Sequence, residues 1–399
     1  MNAPLRTDAH IPRSETARGL PRVCIIGGAC TEGDAISASI AADCRTLLES
    51  GEFDPFLLTG KCEVDIPHAE VRGLKGLIHH PRFVDADIRL FHYGFYTELA
   101  DACVLGGGRV KRIVRYHNIT PPQFVDPSQR ANLEKGHRQI AAIAHVDEVW
   151  PISPFNGRSL AEMGFAVDLA KTLSMPFVPL TKRIDPRTKT GPITIAFVGR
   201  IVPAKGVHVL LDAFDMLMTR GYDDIELEII GSTYIRGYST AIRERIERSG
   251  RKNARFLGKL SARELSRAYE RASIVAIPSF HEGFCVPVIE ALHAGAIPVV
   301  SDTTALPETL NGLGRLAAVG DADSLADCLA DLIGDLRALR RDSQHAQIRV
   351  ERGSLALDNY QEAVSRYLNT FSPARLGDEL IDRLRVMLGR STGGFGAAR

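Results

Sequence analysis

The 399-residue sequence has no CxxC pair and no Cys/His spacing of the kind that holds zinc. Its seven cysteines (24, 30, 44, 62, 103, 285 and 328) are odd in number and scattered through apolar segments. Reduced thiols in a cytosolic protein, and no structural zinc, are the expectation. No uninterrupted apolar run approaches the ~20 residues needed to span a bilayer. Residues 1–20 contain no apolar h-region, so no signal peptide is expected, and their composition predicts a disordered tail. The formal net charge is only +1, too small for a global field that favours nucleic acid. Two nucleotide signatures are missing as well. The glycine-rich turn GGACTEGD, 27–34, lacks the GxGxxG spacing, and no Lys-Ser/Thr follows Gly33 as a Walker loop would require.

What the chain does have is alternation. Its length suggests two domains, each with ample core. A strand at 21–28 is followed by a helix pattern over 34–50. Strand-like runs recur at 55–60, 88–94, 112–118 and 148–153, with helix-like segments such as 133–146 and 155–165. Between 173 and 192 the texture changes to four prolines and several charges without periodicity, which predicts a domain boundary. The pattern then restarts, with strands at 193–199, 225–231, 254–258, 273–279 and 297–302. A capping box is expected at Ser261 and Glu264. This is βαβ texture twice over, so two doubly wound α/β domains are predicted. Two helix-like pieces, 356–371 and 376–389, close the chain, and 391–399 should be a loose tail.

Four stretches could carry chemistry. GGACTEGD follows a strand and precedes a helix, where Gly27 and Gly28 would let a backbone approach an anion; a plain tight turn explains it equally well. In FVGRIVPAKG, 197–206, Arg200 and Lys205 bracket a loop at a strand's carboxyl end, suited to a diphosphate or merely solvated. In SFHEGFCVPVIEALHAG, 279–295, Pro287 suits a first helical turn and Gly295 a helix end, which puts Glu282 in a loop and Glu290 one turn inside a helix. Eight residues of helix span ~12 Å, wider than the roughly 5–9.5 Å of a glycosidase pair. Two carboxylates at one edge more naturally hold hydroxyls of a sugar or ribose. In RYHNITPP, 115–122, His117 ends a strand at the same crevice, although a lone histidine is more often structural.

Together these residues resemble the family 4 retaining glycosyltransferases, group 1 glycosyltransferases of the GT-B fold. The resemblance rests on Glu282-Gly-Phe, five residues and Glu290, followed by Ala294-Gly295-Ala-Ile-Pro298-Val-Val. Leu306-Pro307-Glu308, Gly199-Arg200 with Lys205-Gly206, and Phe256-Leu257-Gly258 with Glu264-Leu265 extend it across about 193–310. It implies two Rossmann-like domains with a crevice between them. The acceptor-side domain would be 21–182 plus about 356–390, and the donor-binding domain 190–352. It implies transfer of a hexose from a nucleotide-diphosphate sugar to a saccharide or lipid-linked acceptor, in cell-surface polysaccharide synthesis, with retention and without a metal or other cofactor. Arg200 and Lys205 would hold the diphosphate, with Gly27 and Gly28 approaching it from the other side. Glu290 would bind the ribose. Glu282, with the amides of Gly283, Phe284 and Cys285, would hold the sugar, and His117 would contact it near the reacting centre.

The sequence departs from the family pattern in three places. Members often have Gly or Ser where Cys285 stands, a glycine near Thr304 or Ala305, and an aromatic at 350–360, where this chain has only Tyr360. Cys285 would bear on which sugar fits. The same fold also serves sugar-nucleotide epimerases and non-catalytic nucleotide-sugar binders. A nicotinamide dehydrogenase built on GGACTEG is disfavoured by its poor fingerprint. Finally, 375–390 has apolar residues at 376, 380, 381, 384, 387 and 388 on one face, with Arg375, Arg383, Arg385 and Arg390. Such a helix could make peripheral contact with the inner membrane surface or pack on the first domain. A cytoplasmic location is expected, and nucleic acid is not an expected partner.

Overall fold

Short runs of Val, Ile, Leu and Phe become strands that are buried on both faces, as in parallel sheets covered by helices. The computed structural model describes residues 19–106, 108–124, 127–233 and 235–390. The tail expected at 1–20, apart from its last two residues, and the loose tail at 391–399 lie outside the described residues.

The first sheet contains β1 (Arg22–Gly27), β2 (Asp54–Thr59), β3 (His68–Glu70), β4 (Ile88–Tyr93), β5 (Lys111–Tyr116) and β6 (Glu148–Pro151). All its pairs are parallel, in the order β3-β2-β1-β4-β5-β6. The second contains β7 (Ile193–Val198), β8 (Ile225–Ile230), β9 (Ala254–Gly258), β10 (Ala272–Ile277), β11 (Ile297–Ser301) and β12 (Arg315–Ala317), in the order β12-β11-β10-β7-β8-β9, again parallel. Each order reverses once, between β1 and β4 and between β7 and β10. Ligands of open α/β sheets bind at such switch points, outside the strands' carboxyl ends. An antiparallel hairpin, β13 (Gln347–Val350) with β14 (Gly353–Ala356), follows the second sheet.

Local rules explain several boundaries. Ser261 and Glu264 form the reciprocal capping box that opens helix Ala262–Arg271. Asp34 caps helix Ala35–Ser50 by accepting from the Ser37 amide, and Gly51 closes it at a left-handed φ of 66°. The stretch 133–146 forms the end of helix Pro127–Gln139 and then tightens into a 3-10 turn, Ile140–His145.

The C-terminal segment divides between the two halves. Helix Leu357–Asn369 buries Leu357, Tyr360 and Val364 in the core of the second sheet. The expectation that 356–390 returns whole to the first domain is therefore corrected, because the apolar face of this helix is already spent on the second. The Tyr360 hydroxyl donates to the Leu313 carbonyl at 3.0 Å, anchoring it there. Helix Pro373–Met387 packs on the first half, where Leu376, Leu380 and Leu384 join Ile40, Leu47 and the strands β1 and β4. Ile381, Met387 and Leu388 pack at the margin of the same cluster. The face offered for a membrane is thus occupied by the protein's own core. Among the described residues no helix is long and apolar enough to cross a membrane.

Candidate functional site

The two halves meet through loops at the carboxyl ends of their strands. Ser153, just after β6, donates from Oγ to the Gly283 carbonyl at 2.7 Å. The Phe155 amide donates to Glu308 Oε2 at 2.8 Å, and Arg158 pairs with the other oxygen of Glu308. His281 Nε2 lies 2.9 Å from Asn118 Oδ1, and Phe124 stacks on both Phe280 and His281. These contacts put the loops after β5 and β6 directly against the loop after β10.

The loops after β7 and β10 are brought together by one close approach. Gly206 has φ 66°, and a Cβ there would sit 1.9 Å from the Pro278 carbonyl oxygen. Only glycine lets the N-terminus of helix Val207–Thr219 lie against the end of β10. Lys205 thereby reaches Glu282, with Nζ 2.5 Å from Oε1. The same Glu282 oxygen accepts from Ser279 Oγ at 2.8 Å, and the Glu282 amide donates to Thr304 Oγ1 at 3.0 Å. Lys205 and Glu282 are 18% and 11% exposed, so their attraction is screened less than at the surface. Arg200 is exposed at the end of β7.

Helix Val286–His293 begins after Cys285 with Pro287 in its first turn. Glu290 lies one turn in, half-buried, accepting from Tyr269 Oη at 2.5 Å. Burial pushes the Glu290 carboxyl up, and the Tyr269 hydroxyl offsets this only in part. The amides of Gly283, Phe284 and Cys285 have no acceptor among the described residues. The Phe284 ring fills a small cluster with Ile152, Met175, Ile289 and Phe371, so its backbone rather than its side chain faces outward. Cys285 is buried against the second core at φ 84°, and burial raises its thiol well above the usual range.

On the opposite side, Gly27 and Gly28 end β1. A Cβ at Gly27 would meet Ile40 Cδ1, the end of a flexible side chain, at 2.6 Å, and one at Gly28 would meet the Phe95 ring at 2.7 Å, so the packing is tighter at Gly28. His117 follows β5, buried, with its carbonyl against Gly283. Burial, with His92 and Arg115 adding to it, pushes the His117 imidazole well below its ordinary range, so it is neutral at pH 7.

Of the residues expected from the sequence, Lys205 meets Glu282, Gly283 lies against the His117 carbonyl, and Glu290 stands in the helix that follows. Sequence reasoning missed Asn118, His281 and Tyr269, and also Asp43, His92 and Arg115 behind His117. The one available signal for the last three was polarity inside apolar segments: Asp43 in AADC, and His92 and Arg115 within strand-like runs.

Comparison with known proteins follows the same division. Residues 181–348 match the model of the family described as Glycosyl transferases group 1. The chain is 30% identical over 131 residues to O-antigen chain mannosyltransferase B of Escherichia coli, covering 33% of this chain and 34% of that protein. It spans 29–46% of the length of the curated relatives it matches. Among solved structures, sucrose-phosphate synthase from Thermosynechococcus elongatus superposes with a TM-score of 0.70 at 16% identity, over 93% of this chain and 100% of that one. Anabaena HepE in complex with UDP gives 0.67 at 16% identity, over 92% and 100%. The fold is GT-B, two Rossmann-like domains.

Proposed function

We propose that the protein is a retaining glycosyltransferase that moves a hexose from a nucleotide-diphosphate sugar to a saccharide or lipid-linked acceptor in polysaccharide synthesis. The observation that carries this reading is the meeting of Lys205 with Glu282 at the β7/β10 switch point, with Glu290 one turn into the adjoining helix. A cation, two carboxylates and three amides without an acceptor among the described residues then lie on the loops after β7 and β10 and the helix that follows. That set matches the needs of a diphosphate, a ribose and a sugar.

In this reading Arg200 and Lys205 hold the diphosphate and stabilise the charge that grows as the nucleotide leaves, taking the place of a metal. Glu290 accepts from the ribose hydroxyls and gives up its bond to Tyr269. Glu282 and the amides of 283–285 hold the sugar, with His117 against it from the first domain and Gly27 and Gly28 bordering the diphosphate. The acceptor oxygen bonds to the anomeric carbon on the face from which the phosphate departs. The acceptor's proton passes to the departing phosphate oxygen, so atoms and charge balance without an enzyme nucleophile. Mannosyl transfer to an O-antigen chain by the E. coli relative and UDP bound to HepE support these classes of donor and acceptor.

The test is product analysis with nucleotide sugars and membrane or oligosaccharide acceptors, with and without a chelator. Acceptor-dependent transfer with retained configuration, unaffected by EDTA, is expected. An epimer formed from donor alone would overturn the reading.

A further inference from the structure

Behind His117 lies a row of buried polar side chains that transfer itself does not call for. Asp43 comes from helix Ala35–Ser50, His92 from β4 and Arg115 from β5, which pairs with β4 in a register that sets His92 opposite Arg115. Asp43, His92 and Arg115 are 3%, 4% and 1% exposed, and His117 is 7% exposed. Arg115 donates through Nη1 to Asp43 and through Nη2 to the Ser174 carbonyl at 2.6 Å and the Leu173 carbonyl at 3.3 Å. His92 Nε2 lies 3.3 Å from Asp43 Oδ2, and His92 Nδ1 lies 3.0 Å from His117 Nε2.

The protons in this row can be assigned from its ends. Burial opposes the Asp43 charge, but Arg115 and His92 outweigh it and hold the carboxyl below its ordinary value. His92 Nε2 falls short of hydrogen-bond geometry to Asp43, but at 3.3 Å a bare nitrogen there would face the lone pairs of the carboxylate, so the proton on His92 is at Nε2. Burial keeps His92 neutral, which leaves its Nδ1 bare. Two bare nitrogens at 3.0 Å would repel, so His117 carries its proton at Nε2 and donates it to His92. His117 Nδ1 is then a lone pair. It is buried and has no partner among the described residues. Burying an acceptor without a partner is unfavourable, and a hydroxyl arriving beside it would relieve this.

We propose that Asp43 and His92 are positioning residues that fix His117 with its Nδ1 as acceptor for a hydroxyl of the transferred sugar. The hydroxyl clause rests on the proposed donor; the tautomer clause does not. A hydroxyl bound this way donates to the enzyme, so its oxygen keeps its lone pairs for the Glu282-side amides. The opposite tautomer would present an N–H and reverse that pattern. Asp43 and His92 therefore act on the sugar only through His117, as the orienting carboxylate of a catalytic triad acts only through its imidazole.

Nitrogen-15 spectra of histidine-labelled full-length protein test this directly. The His117 signals are assigned by loss in the His117→Gln variant. The ligand-free protein should show His117 protonated at Nε2 alone. His92→Phe keeps a ring of similar size and leaves the Asp43–Arg115 pair intact, so the fold is expected to survive; His117 should then lose its single tautomer. His92→Asn restores an acceptor oxygen where Nδ1 stood and should recover the Nε2 proton. A nucleotide sugar that raises the melting temperature, tried first as UDP-glucose and GDP-mannose, should shift His117 Nδ1, whereas the bare nucleotide diphosphate should not. With that donor, His92→Phe should lower kcat/KM about tenfold or more, by analogy with orienting partners of other active groups, and His92→Asn should recover most of it. A Nδ1–H tautomer in the native protein, an unchanged His117 in His92→Phe, or a silent Nδ1 on donor binding would overturn the proposal. If no nucleotide sugar moves the melting temperature, the donor reading and the hydroxyl clause fail together. The ligand-free spectra still decide the tautomer.

Discussion

Lys205 Nζ stands 2.5 Å from Glu282 Oε1, joining the loop after β7 to the loop after β10. Both side chains are mostly buried, and Ser279 donates to the same carboxylate oxygen. Removing the lysine would leave a partly buried carboxylate short of its cation and strip a positive charge from the proposed diphosphate site. Lys205→Ala should lower kcat/KM for transfer by about 10²–10³, while circular dichroism reports an intact fold. Activity within a few-fold of the native protein would remove Lys205 from the site.

Gly206 permits that contact, because a Cβ there would overlap the Pro278 carbonyl at a φ of 66°. Gly206→Ala combines a left-handed backbone, which costs an L-residue about 1–2 kcal/mol, with a clash against backbone that cannot swing away. A loss of more than about 2 kcal/mol in urea unfolding is expected, together with lost donor binding. Gly221→Ala provides the control, since it has a similar φ of 86° and open space around it. It should cost only the backbone term.

Glu308 latches the halves from the second side by accepting from the Phe155 amide and Arg158. Arg158 is 49% exposed, so the ion pair alone contributes little, about 0–1 kcal/mol at most. Glu308→Ala should therefore leave the unfolding midpoint nearly unchanged. It should, however, shift the population toward separated halves, read as a larger radius of gyration by small-angle scattering and a raised KM for donor. An unchanged radius and KM would show that other contacts hold the halves.

Several histidines are buried neutral. Burial pushes His281 down to about 4 and His117 well below its usual range. With a depressed folded pKa, the unfolded chain binds more protons between about 4 and 6.5. Their stabilisation is therefore complete above about pH 6.5 and is lost as pH falls toward 4. Urea midpoints should drop across that window, and His281→Gln should flatten the drop. A flat profile from pH 7 to 4.5 would contradict the burial of these groups.

What the sequence disclosed followed the backbone rules. Pro287 and Gly295 framed the helix that carries Glu290, and strand ends located Lys205 and Glu282. Cys285 and Thr304 sit at φ 84° and 53°, in the left-handed region that favours glycine. The loop keeps a glycine-like path with side chains that bear the strain. The row behind His117 could not be read in advance, because Asp43, His92 and Arg115 lie far apart in the chain and meet only through the pairing of β4 with β5 under helix Ala35–Ser50. The division of the C-terminal segment was hidden for a related reason. Both helices are amphipathic, and periodicity does not say which core an apolar face will join.

The most direct measurement is the melting temperature of the native protein, Lys205→Ala and Glu290→Ala against a panel of UDP-, GDP- and ADP-sugars. Binding to the folded state raises the midpoint by mass action, by about 2.7 kcal/mol of stability at a hundredfold excess over Kd. The account predicts that at least one nucleotide sugar stabilises the native protein and that both substitutions abolish the shift. No stabilisation by any nucleotide sugar, or equal shifts in the native protein and both variants, would contradict it.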